Sequence, residues 1–209
     1  MPDYHSYDAD SEHGLSHNPF KALIAPRPIG WISSLFEDGA VNLAPYSYFN
    51  ALCDAPPLVG FSSSGRKHSL LNIERSGEFV HNLVSAEQMK QMNLTSAPLA
   101  DGESEASAAG LPLVASDRVA APRVDGAPAA MECRLVDIRQ LLDAEGNKTR
   151  CWFVIGQVVR IHIDKVHIRD GLVDQLSMGL VSRLGYFDYA QVDNVFAMPR
   201  PRAPLASGS

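Results

Sequence analysis

A turn signal between two apolar segments near the start of the sequence does most to restrict the fold. Asp38-Gly39 separates residues 31–36 from residues 41–44, and an Asp-Gly pair flanked in this way favours a tight hairpin between antiparallel strands. Residues 131–142 and 150–163 flank a Glu-Gly-Asn sequence in the same manner, which indicates a second hairpin. The chain is therefore expected to be built mainly from antiparallel strands.

The remaining pattern adds short strands and short helices. Residues 58–62 and 78–84 are further apolar runs typical of strands. Helices are predicted over residues 69–76, with Ser69 as the N-cap, and over residues 86–96. The sequence has neither a strand–helix–strand rhythm nor a GxGxxG motif after a strand. These features predict a mainly β fold, a closed or partly open antiparallel barrel with a few short peripheral helices.

Composition limits the classes of function. The 209 residues suffice for one sizeable domain, and the net charge of −6 argues against nucleic acid as a partner. No apolar run reaches the roughly 18 residues needed to cross a bilayer, and residues 1–18 form a polar arm without the apolar core of a secretion signal. We expect a cytoplasmic protein with one domain over residues 19–198, a loose tail over residues 199–209 and no membrane partner.

A run of hydroxyl-bearing residues with two cations lies at residues 62–69. Ser62-Ser63-Ser64 precedes Gly65, Arg66, Lys67 and the start of a predicted helix. Phosphate is bound by hydroxyl donors, free backbone N–H groups, cations and the positive end of a helix dipole. The run therefore suits a phosphate, although a solvated turn has the same composition.

A second hydroxyl and aromatic cluster lies at residues 44–50. Pro45 is expected to end the preceding strand and turn its backbone groups outward. Ser47 and the main chain around it can then offer donors to the N5 atom and carbonyl oxygens of a flavin ring, while Tyr46, Tyr48 and Phe49 can equally be core or rim aromatics. Ser33 and Ser34, at the end of the first strand, form a third cluster. A flavin-type nucleotide, with its flat ring and phosphate tail, is the leading hypothesis.

The sequence offers no clear catalytic residue or metal site. His162 and Asp164 share one predicted strand face near His167, and we interpret that face as solvated rather than metal-binding. His81 lies in an apolar run and is interpreted as a hydrogen-bonded core histidine. The nucleophile-elbow sequence GxSxG is absent from the chain. The three cysteines are isolated, which favours free thiols.

Several segments together resemble the flavin reductase-like family, whose members bind FMN on a split β-barrel. The sequence Pro-Arg-Pro-Ile-Gly-Trp-Ile-Ser-Ser occupies residues 26–34, and Asn-Leu-Ala-Pro-Tyr-Ser-Tyr-Phe-Asn occupies residues 42–50. Further matching segments are residues 56–59, 72–73, 77–80, 82–83, 121–124, 129–133 and 182–186. The resemblance implies an antiparallel Greek-key split β-barrel, a homodimer, and one FMN in each subunit near the subunit interface.

The resemblance also implies a set of FMN-binding residues. Ser33 and Ser34 would lie along the phosphate and ribityl chain. The edge of the isoalloxazine would meet Pro45, Tyr46, Ser47, Tyr48 and Asn50. The phosphate would be held by Ser62, Ser63, Ser64, Lys67 and Ser69, and the flavin would be closed over by Arg183 and Tyr186. His68 stands where the family pattern Lys-Asp-Thr has an acid, which alters the expected phosphate shell.

The function implied is that of an NAD(P)H-dependent flavin oxidoreductase, with NADH or NADPH as reductant. Such a protein can supply reduced flavin to a monooxygenase. Three alternatives stay open at this point: a flavoredoxin-like FMN electron carrier, an oxidase of the kind found among the related pyridoxamine phosphate oxidases, and a non-catalytic flavin-binding protein.

Overall fold

The computed structural model of the chain describes residues 2–97, 99 and 103–200, and strands dominate these residues. The helices are α1 (Phe20–Leu23), α2 (His68–Ser76), α3 (Met89–Leu94) and α4 (Glu105–Ala108). The strands are β1 (Arg27–Pro28), β2 (Gly30–Leu35), β3 (Val41–Tyr46), β4 (Phe49–Asp54), β5 (Pro57–Ser64), β6 (Glu78–Asn82), β7 (Leu113–Val114), β8 (Arg123–Val124), β9 (Ala129–Leu142), β10 (Lys148–Ile163), β11 (Ile168–Arg169), β12 (Leu172–Val173), β13 (Val181–Arg183) and β14 (Tyr189–Gln191).

One antiparallel sheet forms the body of the molecule. Its strand order is β3-β2-β6-β9-β10-β5-β4, and β1, β13 and β14 form a smaller sheet beside it. The predicted β2–β3 hairpin is present, with Gly39 in its turn at φ +87°. The large sheet is curled: the Tyr46 ring on β3 lies 4.5 Å from the Phe61 ring on β5, although four strands separate β3 from β5 in the strand order. The fold is therefore the predicted mainly β split barrel with short peripheral helices.

The prediction that Pro45 ends its strand was wrong. β3 continues through Pro45, which pairs with Trp31, and ends at Tyr46. β3 lies at the edge of the large sheet, where a proline without an N–H group does not interrupt a ladder on both sides. β4 was not predicted at all, because it is an exposed edge strand without the alternation of a half-buried one.

Both predicted helices differ from the sequence expectation at their N-terminal ends. Ser69 is not the cap of α2, which begins at His68, because Ser69 lies inside the helix and is buried. The helix ends at Gly77, whose φ of +74° lets its N–H group reach the carbonyl of Ile73 at 2.8 Å. α3 covers less than the predicted helix, because Ser85 instead forms a bridge with Leu180.

Two apolar clusters form most of the core. One, inside the curl of the sheet, contains Ile32, Phe61 and Phe79, and the other packs Trp31 and other side chains beneath the region of α3 and α4. A Cβ atom at Gly156 would overlap the Phe79 ring, so this glycine allows the ring to pack closely against β10.

The described chain termini add no strand or helix, and the three thiols differ in burial. Residues 2–18 and 192–200 contain no helix or strand, and the predicted tail beyond residue 200 lies outside the described residues. Among the free cysteines, Cys133 is buried and Cys53 is exposed. No helix in the described part of the chain is long and apolar enough to span a membrane.

Candidate functional site

A cleft of about 180 Å³ collects several predicted site residues from distant parts of the chain. Its walls come from α1, β1, the end of β3, α3 and the turn between β13 and β14. They are lined by Lys21, Arg27, Ile29, Pro45, Ser47, Met92, Asn93, Ser96, Arg183, Tyr186 and Tyr189. The predicted residues Pro45, Ser47, Arg183 and Tyr186 thus meet in one place.

Arg27 fixes two of these walls relative to each other. Its Nη1 donates to the carbonyl oxygens of Lys21 and Ile24, and its Nη2 donates to the carbonyl of Leu184 at 2.7 Å. The side chain is 5% exposed, and its Nε has no hydrogen-bond partner among the described residues. Arg27 is therefore a buried cation whose described partners are neutral carbonyl groups.

Arg183 is fixed by its own turn. Its guanidinium lies 4.5 Å from the centre of the Tyr189 ring, and it donates to the Tyr189 hydroxyl and, at 2.6 Å, to the Tyr186 carbonyl. Tyr186 has a φ of +53° and its ring lies 5.7 Å from the ring of His17. The end of the N-terminal arm thus reaches one of the residues that line the cleft.

The corner between β3 and β4 joins the cleft to the end of β5. The Tyr48 ring, at this corner, lies 6.0 Å from Nζ of Lys21 and 5.9 Å from Cζ of Arg27. The Tyr48 carbonyl accepts the N–H of Ser62 at 2.8 Å. Ser47 and Tyr48 therefore adjoin the serine run that precedes α2.

The end of β5 and the start of α2 present an exposed cation and hydroxyl groups. Ser64 and Lys67 are exposed and Ser62 is half-buried. Lys67 precedes α2 and, within the described residues, no side chain caps that helix end. Arg66 pairs with Glu74 and lies 4.8 Å from the Trp152 ring. Lys67 and the helix N-terminus thus offer suitable chemistry for an anion.

The other predicted hydroxyl groups lie inside the protein. Asn42 Nδ2 donates to Ser34 Oγ at 3.2 Å and to Ser69 Oγ at 2.8 Å. Burial raises the pKa of Tyr46 despite hydrogen bonds with Ser69 and Ser63. This buried network connects β2, β3, β5 and α2 directly beneath the serine run.

Ser33 belongs to a second internal network. Its hydroxyl donates to the carbonyl of Pro122 at 2.5 Å, while Asn82 Nδ2 donates to the carbonyl of Trp31 and Asn82 Oδ1 accepts the N–H of Val124. Asn50 is exposed, and its side chain accepts the N–H of the next residue. Neither Ser33 nor Asn50 lines the cleft, so their role in binding FMN stays a prediction, as it does for the buried hydroxyl groups.

A group of potential metal ligands lies elsewhere, beside an open cavity of about 450 Å³. His162 Nε2 lies 2.6 Å from Glu132, whose carboxylate also accepts the N–H groups of Asp117, Arg118 and Val119. Asp117 pairs with Arg160 at 3.0 Å. His162 is therefore less solvated than predicted, and the hydrogen bonds use the lone pairs that a metal would need.

The electrostatics of Glu132 agree with a structural role. Burial raises its pKa, but the hydrogen bonds from the Asp117 N–H, from His162 and from the Arg118 N–H outweigh that effect and lower the pKa overall. The ionised carboxylate holds the loop at residues 117–119 against β9.

Sequence reasoning missed several polar residues of the cleft. Lys21, Asn93, Ser96 and Tyr189 come from segments that contain no recognisable motif, and topology alone brings them to β3. Arg27 belongs to one of the segments that resemble the family, residues 26–34, but its burial could not be inferred from its neighbours. An arginine that precedes a strand, with no acidic residue close in sequence, was the available signal.

Comparisons with known proteins agree with this fold. The family model described as flavin reductase like domain matches residues 23–177. An uncharacterized protein of Halalkalibacterium halodurans is 31% identical over 85% of this chain and 87% of its own length. Arg183 and Tyr186 lie beyond the matched span.

Two solved structures are similar over nearly the whole chain. Nitrilotriacetate monooxygenase component B from Bacillus cereus is 30% identical with a TM-score of 0.85, covering 95% of this chain and 100% of that chain. The 2-nitrobenzoate 2-nitroreductase NbaA of Pseudomonas fluorescens is 28% identical with a TM-score of 0.80, covering 97% and 100%. Because the family model matches most of the length of the chain, the chain belongs to the flavin reductase like domain family.

Proposed function

We propose that the protein binds FMN and oxidises NADH or NADPH with it. The observation that carries this proposal is the arrangement around the β3–β4 corner. Ser47 lines a cleft on one side, and the Tyr48 carbonyl on the other side bonds to Ser62, at the end of the strand that leads to Lys67. Hydroxyl groups, backbone donors and a cation thus follow one another along a short stretch of surface.

The residues present fit the two ends of FMN. Lys67 would supply a point charge to the phosphate, and the N-terminus of α2 would supply the positive end of the helix dipole. Ser47 and the main chain around it supply donors for the edge of the isoalloxazine. The buried hydrogen bonds from Asn42 to Ser34 and Ser69 hold β2, β3 and α2 together beneath that surface.

A second copy of the chain is part of the proposal. The cleft of about 180 Å³ is smaller than the roughly 300–1,000 Å³ typical of pockets that enclose a ligand of this size. β4 exposes apolar side chains, among them Leu52, which is 44% exposed. A homodimer formed over this edge would cover the apolar groups and supply further walls for the flavin.

FMN, when bound, supplies the acceptor for a hydride from reduced nicotinamide. Within the chain, Ser47 would donate hydrogen bonds to the edge of the ring, and donors in this position would stabilise negative charge that develops there. The Tyr186 and Tyr189 side chains border the cleft beside the proposed position of the ring. Hydride transfer needs no protein acid or base, which is consistent with a site that lacks a histidine among its lining residues.

The proposal also concerns the molecule that accepts electrons from the reduced flavin. Similarity to a monooxygenase component B supports transfer of reduced flavin to a monooxygenase. Similarity to a nitroreductase supports a second candidate, direct reduction of an aromatic acid at the same cleft, because three cations line it.

Titration with FMN followed by anaerobic addition of NADH or NADPH tests the proposal. We expect FMN to bind and the absorbance of the oxidised flavin to disappear within seconds. A chain that does not bind FMN contradicts the cofactor assignment. Bound FMN that neither NADH nor NADPH reduces contradicts the reductase and favours an electron carrier or a flavin-binding protein. Adding 2-nitrobenzoate to the reduced protein without oxygen tests the nitroreductase candidate. Reoxidation of the flavin by this compound would support it, and a flavin that stays reduced would contradict it.

A further inference from the structure

We infer that the cationic wall of the cleft, formed by Lys21, Arg27 and Arg183, binds an oxyanion of the molecule that exchanges electrons with the flavin. This inference rests on the proposed function, since it assigns the second reactant to the same cleft. The oxyanion is a phosphate of the pyridine nucleotide or the carboxylate of an aromatic acid.

The first argument is the balance of charge. The chain carries 24 acidic and 18 basic residues, yet three basic side chains line one small cleft. Within the described residues, none of the three forms an ion pair with a carboxylate; Lys21 and Arg183 lie near tyrosine rings, and Arg27 bonds to carbonyl groups. Cations gathered without counter-ions in a protein of net negative charge favour an anionic ligand.

The second argument is the state of Arg27. A buried charge is costly unless an opposite charge accompanies it. Arg27 is 5% exposed, lines the cleft, and keeps a buried Nε without a partner among the described residues. An oxyanion in the cleft would supply both the missing counter-charge and an acceptor for an arginine group.

The third argument concerns which anion the cleft can hold. The proposed site for the FMN phosphate is at Lys67, which does not line the cleft, whereas the Ser47 wall is the proposed neighbour of the flavin ring. An anion held by Lys21 and Arg183 would therefore belong to a different molecule positioned beside that ring. About 180 Å³ accommodates a phosphate or carboxylate with the adjoining part of a ligand rather than a complete dinucleotide.

Lys21 offers the cleanest test. It is exposed, and its described side-chain interaction is the distant one with the Tyr48 ring. Its replacement therefore leaves the bonds of Arg27 and Arg183 intact, and Lys21→Gln and Lys21→Glu are both expected to fold. Lys165→Glu, at an exposed lysine outside the cleft, is the matched control for the change of charge.

The measurement is calorimetric titration of the FMN-loaded protein with NAD⁺, NADP⁺ and benzoate at low ionic strength. We expect at least one of these ligands to bind, with a Kd raised about tenfold by Lys21→Glu, less by Lys21→Gln, and not by Lys165→Glu. Binding of the nucleotides alone identifies a phosphate as the oxyanion, and binding of benzoate identifies a carboxylate. Added salt should weaken the interaction in the unmodified protein.

Three results would overturn the inference. One is that no ligand binds, and another is that Lys21→Glu binds each ligand as tightly as the unmodified protein does. The third is that Lys21→Glu weakens FMN but not riboflavin, because the cleft would then hold the phosphate of the flavin itself. If FMN does not bind at all, the proposed function fails, and titration of the flavin-free chain with the same anions still decides whether the cleft binds them.

Discussion

The Nε2 atom of His162 lies 2.6 Å from a carboxylate oxygen of Glu132, a side chain with no exposed surface. Three backbone N–H groups share that carboxylate. Glu132→Gln replaces an acceptor by a donor there, and we expect the free energy of unfolding at pH 7 to fall by about 1–3 kcal/mol. Urea denaturation measures the change, with Glu145→Gln in an exposed turn as the control.

The effect of Glu132 should depend on pH in a defined direction. Hydrogen bonding lowers the pKa of this carboxyl below the ordinary 4.5, so its contribution is complete above that value and is lost as the pH falls through the lower pKa of the folded state. The difference in stability between the natural chain and Glu132→Gln should therefore shrink in acid. A difference that stayed constant down to pH 3 would contradict the role of the ionised group.

His81 should make the fold sensitive to a higher range of pH. Burial lowers its pKa from 6.5 to about 3, and its ring lies 4.2 Å from that of Phe49, tilted by 31°. Between these two pKa values His81 is protonated in the unfolded chain but neutral in the folded one. The free energy of unfolding therefore decreases as the pH is lowered, by up to about 1.4 kcal/mol per pH unit. Denaturation at pH 7.5 and about 5.5 should show that loss in the natural chain and a smaller one in His81→Leu. Equal slopes in both proteins would show that the pKa of His81 is the same in the folded and the unfolded chain.

Gly156→Ala tests the close packing of Phe79 on β10. The added methyl group would overlap a ring that has no exposed surface, and we expect a loss of about 1–3 kcal/mol from overpacking. Thermal denaturation is the measurement. The double variant with Phe79→Leu should lose less than the sum of the two single changes, because the smaller side chain makes room; additive losses would place the strain elsewhere.

Lys67→Ala tests the phosphate end of the proposed FMN site. A charged hydrogen bond of this kind contributes about 1.5–3 kcal/mol, so FMN should bind about 10–100 times more weakly while riboflavin binds as before. Fluorescence titration with both flavins provides the comparison, and Lys148→Ala, at an exposed strand end, provides the control. An equal loss for both flavins would remove Lys67 from the phosphate shell.

The sequence was a good guide where local chemistry decides structure. Asp38-Gly39 specified its hairpin, since few other residue pairs fit so tight a turn. Gly77 ended α2 for a similar reason. Local signals failed at Pro45, because whether a strand tolerates proline depends on its place in the sheet, and that place is set by strands far away in sequence.

The candidate site was harder to predict because the type of a residue does not determine how deeply it is buried. Ser34 and Ser47 have the same side chain, yet Ser34, on β2, is fully buried and Ser47 lines the cleft. Whether such a serine is buried depends on which face of its strand it occupies and on whether a helix covers that face. Lys21 and Tyr189 reach the cleft through packing of the chain ends, which has no signature in either segment.

The hydrogen bond from Arg27 to the carbonyl of Leu184 spans 157 residues. All seven strands of the large sheet therefore precede the partner of this guanidinium in the order of synthesis. The segment that completes this wall of the cleft thus lies outside the strands of the large sheet. A chain truncated before residue 184 would retain the strands of the barrel but leave Arg27 without one of its anchors.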